Sequence, residues 1–222
     1  MGFSIAIDGP AGAGKSTMAK VVAKKLNFIY VDTGAMYRAM ALFLLRNKID
    51  AQDTEKISTK CQEADITIKY ENEEQVIYLN NENVNGLIRT EEVGNMASAS
   101  SVNKEVRLKL VDLQRKLAQT ADVVMDGRDI GTHVLPQANL KVYLTADAGI
   151  RAQRRYHELK IKGIDSNVEQ IKNDILERDE RDMTREISPL RQAEDAYLID
   201  TSYMTIEEAV DAIMKLYKSI MI

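Results

Sequence analysis

The chain has 222 residues, of which 45% are hydrophobic and 29% are charged, and its formal net charge is −4. These values are ordinary for a globular protein, and the length allows one domain to bury a sizeable core. The small negative charge argues against attraction of the whole chain to nucleic acid or anionic lipid. One cysteine, Cys61, excludes an internal disulfide, and with only two histidines a zinc site is not expected.

The sequence contains no apolar run long enough to cross a membrane as a helix. The opening run at 3–7 ends at Asp8 and lacks the basic region of a signal peptide. We therefore expect a cytoplasmic enzyme or binding protein. The chain is expected to be a monomer. Neither a nucleic acid nor a membrane is expected among its partners.

The pattern of apolar residues predicts alternating strands and helices. A buried strand at 3–8 is followed by a Gly-rich turn and by a helix at about 15–26, where apolar residues have helical spacing. A second strand at 28–32 and a helix at 33–47, rich in Ala, Met and Leu, come next. This order is typical of a βαβ unit in a parallel sheet.

The pattern changes between residues 64 and 101. The segments 65–70 and 75–79 alternate apolar and polar residues, and the polar turn 71–74 separates them. Such half-exposed antiparallel strands do not fit a parallel sheet. We therefore predict an inserted subdomain at 64–101.

After this segment the parallel pattern resumes. A helix at about 103–120 precedes the strands 121–126, 140–144 and 196–200 and the helices 147–161, 167–183 and 205–219. The chain, 1–222, is therefore predicted to form one doubly wound α/β domain. It would contain a five-stranded parallel sheet and a small antiparallel insertion.

The Gly-rich turn matches the phosphate-binding motif G-x-x-x-x-G-K-[ST]. Its glycines let the backbone curl around a polyphosphate, and the positive end of the following helix adds to the attraction. The predicted ATP-binding residues are Gly9, Pro10, Ala11, Gly12, Ala13, Gly14, Lys15, Ser16 and Thr17. Lys15 is predicted to reach the β- and γ-phosphates and to act in catalysis.

Two residues are candidate ligands of the Mg²⁺ ion that accompanies ATP. The hydroxyl of Ser16 has the motif position that binds the ion directly. Asp126 ends a predicted strand, as a Walker-B carboxylate does, and is predicted to bind the ion through water. The alternative for Asp126 is a strand-end acid that caps a helix.

Arginine is concentrated in the segment 151–191. Seven of the 13 arginines lie there: Arg151, Arg154, Arg155, Arg178, Arg181, Arg185 and Arg191. The spacing of one helical face joins Arg178, Arg181, Asp182 and Arg185. Because guanidinium groups suit bidentate contacts with phosphate, we predict an Arg-rich lid. The alternative is that these arginines pair with neighbouring acids on a solvated face.

Arg38 and Arg128 each follow a predicted strand within a few residues. Arg38 comes after the strand 28–32, and Arg128 after the strand 121–126. In an open parallel sheet, ligands bind beyond the carboxyl ends of the strands. Both arginines are therefore predicted to meet the phosphate of an acceptor.

Taken together, these segments resemble the bacterial cytidylate kinases, a family of nucleoside monophosphate kinases, over essentially the whole chain. The resemblance is carried by IDGPAGAGKST at 7–17, DTGAMYR at 32–38, IRTEEV at 88–93, DGRDIGT at 126–132 and ERDERDMTRE at 177–186. It implies transfer of the γ-phosphoryl group of ATP to CMP or dCMP, with Mg²⁺ as cofactor, in pyrimidine nucleotide metabolism. It also implies that 64–101 binds the monophosphate and that 151–191 is the lid.

The resemblance further implies which residues contact the acceptor. CMP would contact Thr33, Tyr37, Arg38, Ser98, Arg107, Arg128, Asp129, Arg178, Asp182 and Arg185. Catalysis would depend on Lys15, Arg128, Arg154 and Arg185. The register at Ser98 is open, since Ser100 and Ser101 lie close by. A base contact of Asp182 also makes chemical sense, because a carboxylate accepts a hydrogen bond from the cytosine amine, where uracil has a carbonyl.

Two other functions stay open. A kinase of UMP or AMP would share everything except the base contacts. A P-loop nucleotide switch would normally carry a base-reading N-K-x-D motif and would hydrolyse its nucleotide slowly without an acceptor. Turnover that requires an acceptor therefore separates a kinase from a switch.

Overall fold

The computed structural model describes residues 2–71 and 74–221. Its contacts divide the chain into two compact units: a core unit, made of the residues up to 29 and from 121 onward, and a middle unit, residues 30–120. Asn72 and Glu73 of the predicted turn lie outside the described residues. No helix within the described ranges has the length and apolar character needed to span a membrane.

The elements follow one another in a strand–helix order with an interruption in the middle. In chain order they are β1 (Ser4–Asp8), α1 (Lys15–Leu26), β2 (Ile29–Asp32), α2 (Thr33–Arg46), α3 (Thr54–Lys60), a 3₁₀ turn (Cys61–Glu63), β3 (Ile66–Glu71), β4 (Glu74–Leu79), β5 (Glu82–Asn83), α4 (Glu91–Ser100), α5 (Lys104–Thr120), β6 (Val123–Asp126), a π-helical turn (Ile130–Val134), β7 (Leu140–Thr145), α6 (Ala148–Ile161), α7 (Val168–Thr184), β8 (Tyr197–Asp200) and α8 (Ile206–Ile220).

The main sheet has five parallel strands in the order β2–β6–β1–β7–β8. The central strand β1 is buried along its whole length, as expected when helices cover both faces of a parallel sheet. Ile7 of β1 lies opposite Asp126 of β6, and Asp8 lies opposite Tyr143 of β7. This register brings the acids Asp8 and Asp126 to the same edge of the sheet.

The middle unit contains a second, antiparallel sheet in the order β3–β4–β5. The pairing of β3 with β4 runs from Ile66 opposite Leu79 to Glu71 opposite Glu74. In the same unit, α2 packs against α4 and against β4. The Asp32 side chain caps α2 by accepting a hydrogen bond from the Ala35 N–H at 2.9 Å.

The predicted fold class is confirmed by the five-stranded parallel sheet and the separate antiparallel sheet. Every predicted strand and helix of the parallel part lies within two residues of its predicted bounds. Two helices and one strand, α3, α4 and β5, were not predicted, and neither were the 3₁₀ turn and the π-helical turn. In α4 the small residues hide the helical period, and only the cap signals the helix: Thr90 accepts a hydrogen bond from the Val93 N–H, and Glu91 and Glu92 follow it.

Candidate active site

The phosphate-binding loop connects β1 to α1 in the core unit. Gly9 has a φ of +146°, and a Cβ at this position would lie 1.9 Å from the carbonyl oxygen of Leu144, so only glycine fits beside β7. Gly14, the N-cap residue of α1, has a left-handed conformation and offers no side chain to the amides of the first helical turn. The loop therefore presents backbone N–H groups that suit an anion.

Lys15 is the first residue of α1, and its side chain is buried. Its Nζ donates a hydrogen bond to the carbonyl oxygen of Pro10 at 2.7 Å. Burial and the positive charges of Arg128 and Arg178 lower the pKa of Lys15, while Asp126 opposes this effect. A bound polyphosphate would offset the crowding of positive charge, so the site is suited to a polyanion.

The two predicted metal ligands are in contact. Ser16 Oγ donates a hydrogen bond to Asp126 Oδ2 at 2.8 Å, and Asp126 is buried at the end of β6. This pair supplies only oxygen donors, which suits Mg²⁺. Within the described residues, no group of three His, Cys, Asp or Glu side chains could hold a metal ion. Nucleotide phosphates and water would therefore complete the coordination.

Three arginines and two aspartates form a charge network in the core unit. Arg128 Nε donates to Asp182 Oδ2 at 2.8 Å, and Arg185 Nη2 donates to Asp129 Oδ1 at 3.3 Å. Burial would raise the pKa of Asp182, but Arg128 and Arg178 outweigh it and hold this pKa below its ordinary value. The two ion pairs hold the guanidinium groups of Arg128 and Arg185 in one network, where they could meet a phosphate.

The predicted helical face is wrong at two positions. The buried face of α7 includes Ile175, Asp179 and Asp182, whereas Arg181 is exposed. Arg185 follows the last residue of α7 and has an extended backbone, with a ψ of 141°. Its guanidinium joins the charge network from this loop position, and helical spacing does not place it there.

The other predicted arginines of this segment have different partners. Arg154 Nη1 donates to Thr201 Oγ1 at 3.2 Å, and Thr201 Oγ1 lies 3.3 Å from the carbonyl oxygen of Ala13. Thr201 therefore links Arg154 to the phosphate-binding loop. Arg155 pairs with Glu158 at 2.9 Å on the surface, as the solvated-face alternative expects.

Asp179, which the sequence did not single out, and Arg151, one of the predicted lid arginines, also meet the phosphate-binding loop. Asp179 Oδ1 accepts a hydrogen bond from the Ala11 N–H at 3.0 Å, and Asp179 Oδ2 forms a buried ion pair with Arg151. Arg151 Nη1 also donates to the Ala11 carbonyl oxygen at 2.8 Å. A signal was present: Asp179 has helical spacing with the apolar Ile171 and Ile175, where an acid is unexpected.

In the middle unit, α2 carries three predicted acceptor residues: Thr33, Tyr37 and Arg38. Thr33 is buried at the first position of the helix. Arg38 Nη1 donates to the Ile88 carbonyl oxygen at 3.3 Å, and a Cβ at Gly94 would lie 3.0 Å from the same Nη1. The guanidinium of Arg38 is therefore closely packed against α4.

The remaining two predicted acceptor residues, Ser98 and Arg107, are buried in the same unit. The guanidinium carbon of Arg107 lies 5.8 Å from the centre of the Tyr37 ring, within cation–π distance. Ser100 Oγ bonds to a carbonyl one turn earlier in α4, and Ser101 Oγ bonds to the Ser98 carbonyl oxygen. The structure thus brings Tyr37 and Arg107 together. The hydroxyl groups of Ser100 and Ser101, the alternatives to Ser98, both bond to carbonyl oxygens of α4.

Comparison with known proteins identifies the family. The sequence model described as cytidylate kinase matches residues 5–219 of this chain. The chain belongs to the cytidylate kinase family. A cytidylate kinase from Caldicellulosiruptor bescii is 50% identical over 215 residues, which are 97% of this chain and 95% of the relative. One from Shouchella clausii is 47% identical over 217 residues, 98% of this chain and 96% of the relative.

Solved kinase structures resemble this member of the cytidylate kinase family in fold. A shikimate kinase from Bacteroides thetaiotaomicron has a TM-score of 0.50 and 16% identity, and the match covers 97% of this chain and 98% of that one. A gluconokinase from Sinorhizobium meliloti has a TM-score of 0.50 and 13% identity, with coverage of 98% and 95%. At these identities the likeness shows a shared fold.

One tetrapeptide of this cytidylate kinase family member has the N-K-x-D pattern expected of a nucleotide switch: Asn47-Lys48-Ile49-Asp50. It follows a helix, and no strand leads into it. Asn47 Nδ2 donates to the Phe43 carbonyl oxygen at 2.8 Å, and Lys48 has a φ of +55°. Asp50 Oδ1 accepts a hydrogen bond from the Gln52 N–H at 2.8 Å. These side chains stabilise the turn after α2, so the tetrapeptide does not support the switch.

Proposed function

We propose that the protein transfers the γ-phosphoryl group of ATP to CMP or dCMP, giving CDP or dCDP and ADP, in pyrimidine nucleotide metabolism. The observation that carries this proposal is 50% identity over 97% of the chain to a protein named cytidylate kinase. The charge network near Lys15 supports it, because phosphoryl transfer between two nucleotides requires two polyanions to be neutralised.

ATP is assigned to the phosphate-binding loop, residues 9–17. Backbone N–H groups of the loop hold the β- and γ-phosphates, and Lys15 stabilises the charge that develops on the transferring group. No covalent enzyme intermediate is required. An oxygen of the acceptor phosphate attacks the γ-phosphorus of ATP. The bond between this phosphorus and the β–γ bridging oxygen breaks, and ADP leaves with that oxygen.

Mg²⁺ is the proposed cofactor, held directly by Ser16 and through water by Asp126. When bound, the ion neutralises charge on the ATP phosphates, which would otherwise repel the incoming acceptor. Because the Ser16 hydroxyl donates a hydrogen bond to Asp126, the lone pairs of its oxygen are left for a cation. Asp126 thereby orients the hydroxyl.

The acceptor is assigned to the residues that the resemblance to cytidylate kinases implies. Arg38, Arg128 and Arg185 would bind phosphate oxygens, since guanidinium groups can do so bidentately. Asp129 would contact the ribose. Thr33 and Tyr37 are assigned to the acceptor nucleotide in general, and the assigned base and ribose contacts are Ser98, Arg107, Arg178 and Asp182.

We assign residues 151–191 to a lid and residues 64–101 to a monophosphate-binding subdomain of a single kinase domain that acts as a monomer. A lid is needed because water at the γ-phosphoryl group would hydrolyse ATP. The contacts of Arg151 and Asp179 with Ala11 support the lid, since they link α6 and α7 to the phosphate-binding loop. Arg154 is assigned to catalysis from the same segment.

Product analysis tests this function. The purified protein is incubated with ATP, MgCl₂ and CMP, and the nucleotides are separated by ion-exchange chromatography. We expect CDP and ADP in equal amounts, and only traces of ADP when CMP is omitted. Release of ADP at the same rate with and without CMP would contradict the kinase and indicate a hydrolytic switch.

A further inference from the structure

Asp8 is the last residue of β1, directly before the phosphate-binding loop, and the residue is 5% exposed. Its Oδ1 accepts a hydrogen bond from the Ile130 N–H at 2.8 Å, and its Oδ2 accepts one from the Gly131 N–H at 2.7 Å. Both oxygens of one buried carboxylate therefore bind the backbone of two successive residues. The two hydrogen bonds together fix the backbone at this point.

These bonds hold one end of a short loop whose other end is also attached to β1. At that other end, the Gly127 N–H donates to the Ile7 carbonyl oxygen at 3.0 Å. Arg128 and Asp129 are the two residues between the attachment points. The strand that leads into the phosphate-binding loop therefore also fixes the loop that carries two assigned acceptor residues.

The attachment at Asp8 is closely packed. A Cβ at Gly131 would lie 3.1 Å from Lys141 Cδ and 3.4 Å from Asp8 Oδ2. Lys141 is itself held in place, because its Nζ donates to the Pro136 carbonyl oxygen at 2.7 Å and to Asp195 at 2.9 Å. The loop thus has little room to shift while the Asp8 carboxylate is present.

We propose that Asp8 is a positioning residue for phosphoryl transfer, which fixes the Arg128–Asp129 loop to the strand that carries the phosphate-binding loop. This inference rests on the proposed function. Without the carboxylate, the bond between the Gly127 N–H and the Ile7 carbonyl oxygen is the remaining one of these two attachments to β1. Arg128 then retains its ion pair with Asp182 but loses its fixed place relative to Lys15.

A double-mutant cycle tests this role. Asp8→Asn keeps the size of the side chain, but its amide nitrogen can only donate, so one backbone N–H loses its acceptor. The variant is made in the wild type and in Arg128→Ala, and kcat/KM for CMP is measured at saturating ATP. The matched control is Asp122→Asn, because the Asp122 carboxylate accepts a hydrogen bond from the Phe3 N–H at the opposite end of β1.

In the wild-type background, Asp8→Asn is expected to lower kcat/KM for CMP by about tenfold or more, since misplacement of a catalytic contact is costly. In the Arg128→Ala background the fall should be less than about threefold, because residues that act as a unit are not additive. The KM for ATP should stay within about twofold, since the loop of residues 9–17 is intact. The Asp122→Asn control should match the wild type.

Equal falls in the two backgrounds, or no fall in either, would overturn the role of Asp8. If Asp8→Asn does not fold, Gly131→Ala replaces it in the same cycle, because the added Cβ would lie 3.1 Å from Lys141 Cδ and crowd the residue whose N–H Asp8 binds. A wild type without CMP-dependent turnover would instead refute the proposed function. An active wild type with an additive cycle would refute only the role of Asp8.

Discussion

Lys15 is the lysine of the phosphate-binding motif, it is buried, and it is assigned to the transferring phosphoryl group. Its ammonium group is buried close to Arg128 and Arg178, so its charge acts in a site of reduced solvation. Lys15→Ala is expected to lower kcat by about a thousandfold or more, because the lost charge acts on the transition state. CMP binding should change little. The control is Lys24→Ala, since Lys24 is an exposed lysine of the same helix. A Lys15→Ala variant that keeps more than about a tenth of the wild-type kcat would contradict the catalytic role of Lys15.

Arg38 is assigned to the acceptor phosphate. Arg38→Ala should lower kcat/KM for CMP, because a bidentate charged contact is lost. The lowering should correspond to a loss of about 2–4 kcal/mol in transition-state stabilisation. Inhibition by cytidine, which has no phosphate, should be nearly unchanged. Arg46→Ala is the control, since Arg46 in the same helix forms an exposed ion pair with Glu82. Equal weakening of CMP and ATP would count against the acceptor assignment.

Asp182 is assigned to base recognition. Its Oδ2 is bound by Arg128, and its Oδ1 lies 3.9 Å from Arg185 Nη1, beyond hydrogen-bond distance. If Oδ1 accepts from the cytosine amine, Asp182→Asn should narrow the ratio of kcat/KM for CMP to that for UMP, mainly by loss of CMP activity. Asp174→Asn, an exposed acid of α7, is the control. An unchanged ratio would reduce Asp182 to an ion-pair partner of Arg128.

Among single residues, those that belong to a motif can be predicted from the sequence. Residues whose side chains bind distant backbone groups cannot. Lys15 and Ser16 are predictable because the phosphate-binding motif fixes both identity and position. Asp8 is not, because its partners are the backbone amides of residues far along the chain. Asn47 shows the converse, since its motif letters match but its side chain only stabilises the end of a helix.

At the scale of elements, α6, α7 and the phosphate-binding loop are joined by the buried ion pair of Arg151 with Asp179. Asp179→Ala should destabilise the protein by about 3–5 kcal/mol, because it leaves a buried positive charge without its partner. Equilibrium unfolding in urea measures this loss. Glu158→Ala breaks the exposed pair with Arg155 and should cost at most about 1 kcal/mol.

The double variant Arg151→Met with Asp179→Leu separates charge from packing. It should recover much of the stability lost in Asp179→Ala, because apolar residues of similar size often replace a buried ion pair at little cost. A double variant as unstable as Asp179→Ala would contradict this explanation of the single variant.

The parallel strands were predictable as elements because each is an apolar run bounded by turn residues, which has few other interpretations. The helix α4 was not, because its small residues carry no clear apolar period and its stability depends on packing against α2. The end of α7 was also predicted one residue too early. Arg185 lies just beyond the helix, and its contact with Asp129 depends on a turn that helical spacing cannot describe.

For the whole molecule, charge is distributed unevenly. The chain is acidic overall, with a net charge of −4, yet seven of its 13 arginines fall within 151–191. The core unit uses three arginines, Arg128, Arg178 and Arg185, together with Lys15 around one charge network. This concentration suits a small polyanion bound at one place and does not suit a long nucleic acid.

The preference among acceptor nucleotides decides whether the protein is a CMP kinase. ADP release from ATP and Mg²⁺ is followed with CMP, dCMP, UMP, AMP and GMP as acceptors, and kcat/KM is compared. CMP should exceed UMP by about a hundredfold or more, because UMP sets a carbonyl against a site built to accept from an amine. UMP or AMP turnover within about tenfold of CMP would contradict the claim and indicate a kinase of another nucleoside monophosphate.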